Sequence, residues 1–369
     1  MSKPRVIVGM SGGLDSSVAA ALLVEQGYDV VGITIKTYRY EDVGGNVGSD
    51  TSCCSLDGIN DARRVAIRLG IPHYVYDFTE RFGEEIIDYF VDAYLAGDTP
   101  NPCVMCNRKI KWAEMLRRAD SLGADFVATG HYARIRRDQE SGRYILSRGL
   151  DASKDQSYAL WAVAQESLAR TIFPLADLTK PESRAIAARL DLPVAGKQES
   201  YEICFIPDND YTRFLRDNVP GLDERVKGGD IVQDGRVIGQ HAGFPFYTVG
   251  QRRGLGISSP DPLYVINIDA STNTVEVGGN DQLMHRGLRA SNVNLIKYAS
   301  IDEPLRVTAK IRYKDEGAPA TCRTLPDGTL DLLFDEPRRA ITRGQSVVLY
   351  EGDDVVGGGV ITEWRDGTP

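Results

Sequence analysis

One short string constrains the fold of this 369-residue chain more than any other: Ser11-Gly12-Gly13-Leu14-Asp15-Ser16-Ser17. The apolar run Val6-Ile7-Val8-Gly9-Met10 leads into it, and Val18, Ala19, Leu22 and Leu23 follow at helical spacing. A strand that turns through adjacent glycines into a helix is a phosphate-binding arrangement. The glycines let the backbone approach an anion and take positive φ. The helix start offers unpaired N–H groups and a partial positive charge, and Ser11, Ser16 and Ser17 add hydroxyl donors. The loop is not a Walker A motif, because G-x-x-x-x-G-K-[ST] and its lysine are absent. That lysine serves terminal phosphates, so its absence points to cleavage of a different bond.

The pattern repeats downstream. Asp29 to Ile35, His73 to Phe78 and Asp125 to Thr129 read as further strands, with helical stretches from Ser16 to Gln26 and from Asp61 to Leu69. Alternation of this kind predicts an α/β, doubly wound parallel sheet, with ligands at the carboxyl ends of its strands. After about Pro207 the pattern changes. Gly235, Gly239 and Gly243 break Asp230 to Thr248 into hairpin-like pieces, and period-two alternation marks Arg306 to Tyr313, Leu330 to Phe334 and Ser346 to Tyr350. The expected organisation is a nucleotide-binding domain over 1–207, a small connecting domain over 208–280 and an all-β barrel-like domain over 281–369.

Net charge is −9, which disfavours nucleic acid as a partner, yet ten Lys and Arg residues against five acids lie between Asn101 and Gly149. That segment is read either as a phosphate-binding surface or as a solvated face. No stretch has the apolar length of a membrane span, and the opening MSKPRVIVGM does not read as a secretory signal, so a cytoplasmic location is expected. Six cysteines at 53, 54, 103, 106, 204 and 322 in such a chain do not suggest a disulfide framework. Cys53, Cys54 and Cys322 read as small buried hydrophobes. Cys103 and Cys106 form a lone C-x-x-C, compatible with a redox pair or half of a metal site, and Cys204 has the bulky neighbours Ile203, Phe205 and Ile206 of a core position.

The loop resembles the SGGxDS signature of the ATP pyrophosphatases, which adenylate a carbonyl and release pyrophosphate. Further strings are similar to one branch, the tRNA-specific 2-thiouridylases: Thr99-Pro100-Asn101-Pro102 with Cys106-Asn107, Thr129-Gly130-His131-Tyr132, Lys154-Asp155-Gln156-Ser157-Tyr158, Glu202-Ile203-Cys204-Phe205-Ile206 and Thr248-Val249-Gly250-Gln251-Arg252. The similarity runs in order from about Arg5 to Trp364.

The resemblance implies ATP-dependent activation of C2 of the wobble uridine (position 34) of Lys-, Glu- or Gln-type tRNA, then sulfur transfer to give 2-thiouridine, AMP and pyrophosphate. It places ATP, with Mg²⁺, on Gly9, Met10, Ser11, Gly12, Gly13, Leu14, Asp15 and Ser16, with Ile35 and Gly130 lining the adenosine. It makes Cys106 the nucleophile and Cys204 the persulfide carrier, joined in a transient disulfide during turnover and loaded by a sulfur-donor protein. Asn101, Pro102 and Cys103 would surround the target base; His131, Lys154, Asp155, Gln156, Arg312, Tyr313 and Gln345 would touch tRNA. From the residues alone, Ile35 is equally a core side chain, His131 a structural histidine and Arg312-Tyr313 a surface strand feature. Cys106 precedes a helix expected from Asn107 to Leu116, whose N-terminus would lower its thiol pKa. The free protein is expected to be a monomer.

One position departs from the family pattern. Cys103 stands where many relatives carry an aspartate, so it is either a spare thiol or, with Cys106 and Cys204, a ligand of a [4Fe–4S] cluster whose open iron carries sulfide. The rival reading within the enzyme class is another, amidating or ligating, ATP pyrophosphatase.

Overall fold

The computed structural model describes residues 3–38, 56–197 and 203–366. Cys53 and Cys54 lie outside the described residues. The chain divides into two compact units. One holds Met1–Ile86, Cys103–Asp210 and Asp353–Val355; the other holds Ile87–Pro102, Tyr211–Gly352 and Val356–Pro369.

In the first unit, strands β1 (Arg5–Gly9), β2 (Asp29–Lys36), β3 (His73–Asp77) and β4 (Phe126–Ala128) are followed by a hairpin, β5 (Ala133–Arg137) and β6 (Tyr144–Arg148), and then by β7 (Thr171–Ile172). Five of them form a parallel sheet in the order β3-β2-β1-β4-β7. The chain steps outward from β1 to β3 and then returns to the opposite side of β1, which puts the topological switch point between β1 and β4. Val6, Ile7 and Val8 of β1 are fully buried. A central strand covered on both faces needs an unbroken apolar run, which is what the sequence carries there.

Helix α1 (Leu14–Glu25) buries eight of its twelve residues, Ser16 and Ser17 among them. Helix α2 (Leu56–Leu69) is amphipathic and buries Gly58, Ile59, Ala62, Val65 and Ala66. The helix Lys180–Arg189 starts with a capping box, in which Thr179 N–H donates to Glu182 Oε2 at 2.7 Å. The doubly wound sheet is as expected. The β5–β6 hairpin and the two-residue β7 are additions that the sequence pattern did not announce, because β5 reads Ala-Arg-Ile-Arg-Arg and β7 is too short for any period.

In the second unit, β8 (Gly229–Gln233), β9 (Arg236–His241), β10 (Tyr264–Asp269) and β11 (Thr274–Gly278) form a four-stranded sheet in the order β10-β11-β8-β9. Six more strands follow: β12 (Met284–Leu295), β13 (Leu305–Lys310), β14 (Ala318–Thr324), β15 (Leu330–Arg339), β16 (Ser346–Glu351) and β17 (Asp354–Arg365). They run β12-β15-β14-β13-β16-β17, and β12 pairs with β17 to close the barrel. Its core holds Leu288, Ile311, Cys322, Leu332, Phe334, Leu349 and Val356. Cys322 is buried as expected, and burial pushes its thiol pKa up to about 12. The sequence pattern carries the strand from Arg306 on to Tyr313; in the structure β13 stops at Lys310, so Arg312 and Tyr313 stand exposed on a turn. Asp315 shapes that turn. It is buried, accepts from Ile311 N–H at 3.1 Å and Gly317 N–H at 3.3 Å, and is held by Arg338 at 2.6 Å.

Candidate active site

The glycine-rich loop stands at the carboxyl end of β1, beside the switch point. Met10 is buried beneath it, tied by its N–H to Ile33 O at 2.7 Å and by its carbonyl to Thr34 Oγ1 at 2.7 Å. Gly12 takes φ +71°, and a Cβ there would stand 2.0 Å from Gly58 O at the start of α2. Glycine is required at this position by both conformation and space. Ser16 Oγ accepts from Ser11 N–H at 3.2 Å, and Ser17 Oγ donates to Gly13 O at 2.8 Å. The hydroxyls therefore fix the loop's curvature. Gly130 follows β4 and packs on the first turn of α1, where a Cβ would lie 2.6 Å from Asp15 C and Ser16 N. Ile35 is half-buried near the carboxyl end of β2, in register with Tyr76.

Two lysines that sequence reasoning missed reach this loop. Lys180, nearly fully buried, places Nζ 2.7 and 2.9 Å from the two oxygens of Asp15, and Tyr132 OH donates to Asp15 Oδ1 at 2.9 Å. Lys197 Nζ donates to Gly12 O at 3.2 Å and to Asp61 Oδ2 at 2.6 Å. These two cations reach the loop from 165 and 185 residues away, a distance at which no local pattern exists.

Cys106 is buried and Cys103 exposed on one continuous helical run: Pro102–Cys106, then a π-helical stretch Asn107–Trp112, then Ala113–Ser121. This corrects the expectation for Cys106. Its φ of −61° and ψ of −43° are helical, so it lies a turn inside the run and Cys103 occupies the first turn. A π-helical turn is an interruption of helical register often found at functional sites. Next to Cys106, the buried Asn107 donates to Ala159 O at 2.9 Å, while its Oδ1 has no hydrogen-bond partner among the described residues. Cys204 is half-buried, and the adjoining Phe205 meets Phe82 edge-on at 5.7 Å.

No disulfide joins Cys103, Cys106, Cys204 and Cys322. Among the described residues no group of three or more His, Cys, Asp or Glu could hold a metal ion. Cys103, Cys106 and Cys204 do not form such a group among the described residues.

Much of the basic segment is taken up internally. Lys109 bonds Glu85, Arg134 reaches Asp177 at 2.6 Å and Arg136 reaches Asp354 at 2.7 Å. Buried Glu114 is held by both Arg81 and Arg117, and Arg118 lies over the Tyr76 ring at 4.2 Å. His131 Nδ1 meets Thr129 Oγ1 at 2.7 Å, and its ring lies near Trp112 and Phe173. Asp155 accepts from Ser157 N–H at 3.1 Å, Gln156 Oε1 accepts from Tyr132 N–H at 3.1 Å, and Lys154 is half-buried on the same loop.

A doubly wound sheet with an SGGxDS loop at its switch point defines an adenine-nucleotide-binding α/β protein, here continued by two β modules. The family models that match are described as tRNA methyl transferase HUP domain (residues 4–208), tRNA methyl transferase PRC-barrel domain (215–279) and aminomethyltransferase beta-barrel domain (285–361). The chain is 55% identical over 363 residues to the tRNA-specific 2-thiouridylase MnmA of Salinibacter ruber, covering 98% of this chain and 95% of the relative. It is 53% identical over 364 residues to that of Amoebophilus asiaticus, covering 98% and 96%. A solved 4-thiouridine synthetase–RNA complex with bound ATP is similar at 18% identity and a TM-score of 0.38, over 59% of this chain and 51% of that one. The chain belongs to the tRNA-specific 2-thiouridylase family.

Proposed function

We propose that this protein is an ATP-dependent tRNA 2-thiouridylase acting on the wobble uridine. The observation that carries the reading is identity above one half along nearly the whole chain, together with a loop shaped for an anion at the switch point. A carbonyl oxygen is a poor leaving group, so O2 of the uridine attacks the α-phosphate and pyrophosphate departs. The amides from Ser11 to Ser16, with Lys197 nearby, stabilise the charge that develops. Gly9 and Met10 anchor the loop, Gly13, Leu14 and Asp15 open α1, and Ile35 and Gly130 line the adenosine. Mg²⁺ accompanying ATP is carried by the triphosphate rather than by a preformed cage.

Sulfur enters as a persulfide on Cys204, loaded by a donor protein. The Cys106 thiolate attacks the inner sulfur of that persulfide, the outer sulfur adds to C2, AMP leaves, and a Cys106–Cys204 disulfide remains for reduction. Asn101, Pro102 and Cys103 surround the flipped base, while His131, Lys154, Asp155, Gln156, Arg312 and Tyr313 contact the tRNA. The two methyl transferase domain descriptions compete with this reading in name only: two cysteines, Cys106 and Cys204, and an SGGxDS loop are the groups that adenylation and sulfur transfer use. The test is mass spectrometry of nucleosides from wobble-uridine tRNA incubated with protein, ATP and a persulfide donor. 2-Thiouridine is the expected product; a methylated base or an unmodified pool overturns the reading.

A further inference from the structure

Within the second unit, a cavity of about 430 Å³ lies between the paired strands β10 and β11 and the ends of β12 and β17. That is the size of a small-molecule site. Asn267 of β10, Glu276 of β11, Asp281 of the turn before β12, His285 of β12, Trp364 of β17 and Asp366 line it. No Lys or Arg does. The cations nearby in sequence are engaged elsewhere: Arg286 on Asp335 O, Arg338 on Asp315 and Arg339 on Asn280. Neither Glu276 nor Asp281 has an ion-pair partner among the described residues.

His285 adds a second, independent demand for a ligand. It is only 6% exposed, and its ring lies flat on the Trp364 indole, with centroids 3.7 Å apart and planes 16° apart. His285 Nδ1 meets Asp366 Oδ1 at 2.7 Å. A carboxylate only accepts, so Nδ1 carries the proton, and in the neutral ring Nε2 is an acceptor. Stacking and the carboxylate fix the ring, yet Nε2 has no hydrogen-bond partner among the described residues. No group of three or more His, Cys, Asp or Glu among those residues could hold a metal ion, so a bare cation is not the complement. Carboxylates spread around a cavity, with one fixed acceptor among them, match a positive charge that carries several diverging N–H donors. We infer that this cavity binds a guanidinium group, which donates to His285 Nε2 and to the carboxylates of Glu276, Asp281 and Asp366. The inference is independent of the thiouridylase reading.

The whole protein is titrated with agmatine, with guanidinium chloride well below denaturing concentrations, and with urea, the uncharged planar analogue. Sodium chloride holds ionic strength constant, and the ring signals of the four histidines are followed by NMR, His285→Gln assigning one of them. A saturable shift of the His285 signal with both cations, and none with urea, is expected. By calorimetry, Glu276→Gln and Asp281→Asn should each weaken agmatine binding about ten-fold, the loss of one charge-assisted hydrogen bond. These two carboxamides keep side-chain shape and decide the matter even if His285→Gln does not fold. A capped tripeptide with a central arginine separates the sources: affinity equal to that of agmatine assigns the cavity to a partner's arginine, and affinity about ten-fold weaker assigns it to a free guanidino compound. No saturable shift, an equal response to urea, or unchanged affinity in both carboxamide variants overturns the inference.

Discussion

Asp15 belongs to the most recognisable string in the chain, yet its surroundings are invisible there. Its carboxylate accepts from Lys180 on both oxygens and from Tyr132 on one, so it acts first as the strut of the loop. Lys180→Met leaves that carboxylate without its cation. The expected loss of stability in urea denaturation is about 2–3 kcal/mol, less than for a fully buried pair because Asp15 keeps a third of its side chain in water. Asp15→Asn should remove adenylation, followed as pyrophosphate release, while tRNA affinity stays within about three-fold, because phosphate contacts elsewhere carry the binding. Parallel loss of both would show that the loop only holds the fold. The motif announced a loop shaped for an anion; the partners of its carboxylate lie on segments remote in sequence that only packing brings to it.

At the scale of elements, β3 reports on the loop through His73. Thr34 Oγ1 donates its one proton to Met10 O, so His73 Nε2, 2.9 Å away, must be the donor to Thr34. Burial, then repulsion by Arg63, holds the His73 pKa below its ordinary value. The unfolded chain therefore takes up this proton first, and stability falls as pH drops through the ordinary histidine range. A melting midpoint that falls between about pH 7 and pH 5.5, and falls less in His73→Gln, is the expected result. The turn after β13 gives a second prediction: Asp315→Ala, which frees Ile311 N–H, Gly317 N–H and Arg338, should weaken tRNA binding several-fold while ATP binding is unchanged, as read by filter binding and nucleotide titration. Strands β1 to β4 and the β-rich second half were legible because apolar runs and alternation are properties of contiguous residues. The turn was not, since alternation continues past Lys310 although Asp315 bends the backbone there. Nor was the π-helical register after Cys106, which no spacing of apolar residues announces.

For the molecule as a whole, net charge is −9, and four of the ten cations between Asn101 and Gly149 (Lys109, Arg117, Arg134 and Arg136) are held in internal ion pairs, which leaves fewer of them to meet tRNA phosphates. Each should therefore weigh visibly on the salt dependence. Arg312→Ala is expected to reduce the slope of log affinity against log salt by about 0.7 to 0.9, the release of one counterion; an identical slope removes Arg312 from the interface. The barrel's closure has a further consequence, in the order of synthesis. β12 completes its sheet only by pairing with β17, Gly287 against Arg365 through Leu295 against Gly357. Until the ribosome has delivered β17, the twelve-residue β12 keeps one edge of backbone donors and acceptors unmatched, the condition under which nascent chains mispair with one another. Slow translation through the stretch between β15 and β17 should lengthen that exposure and raise the aggregated fraction, with no change to the finished protein.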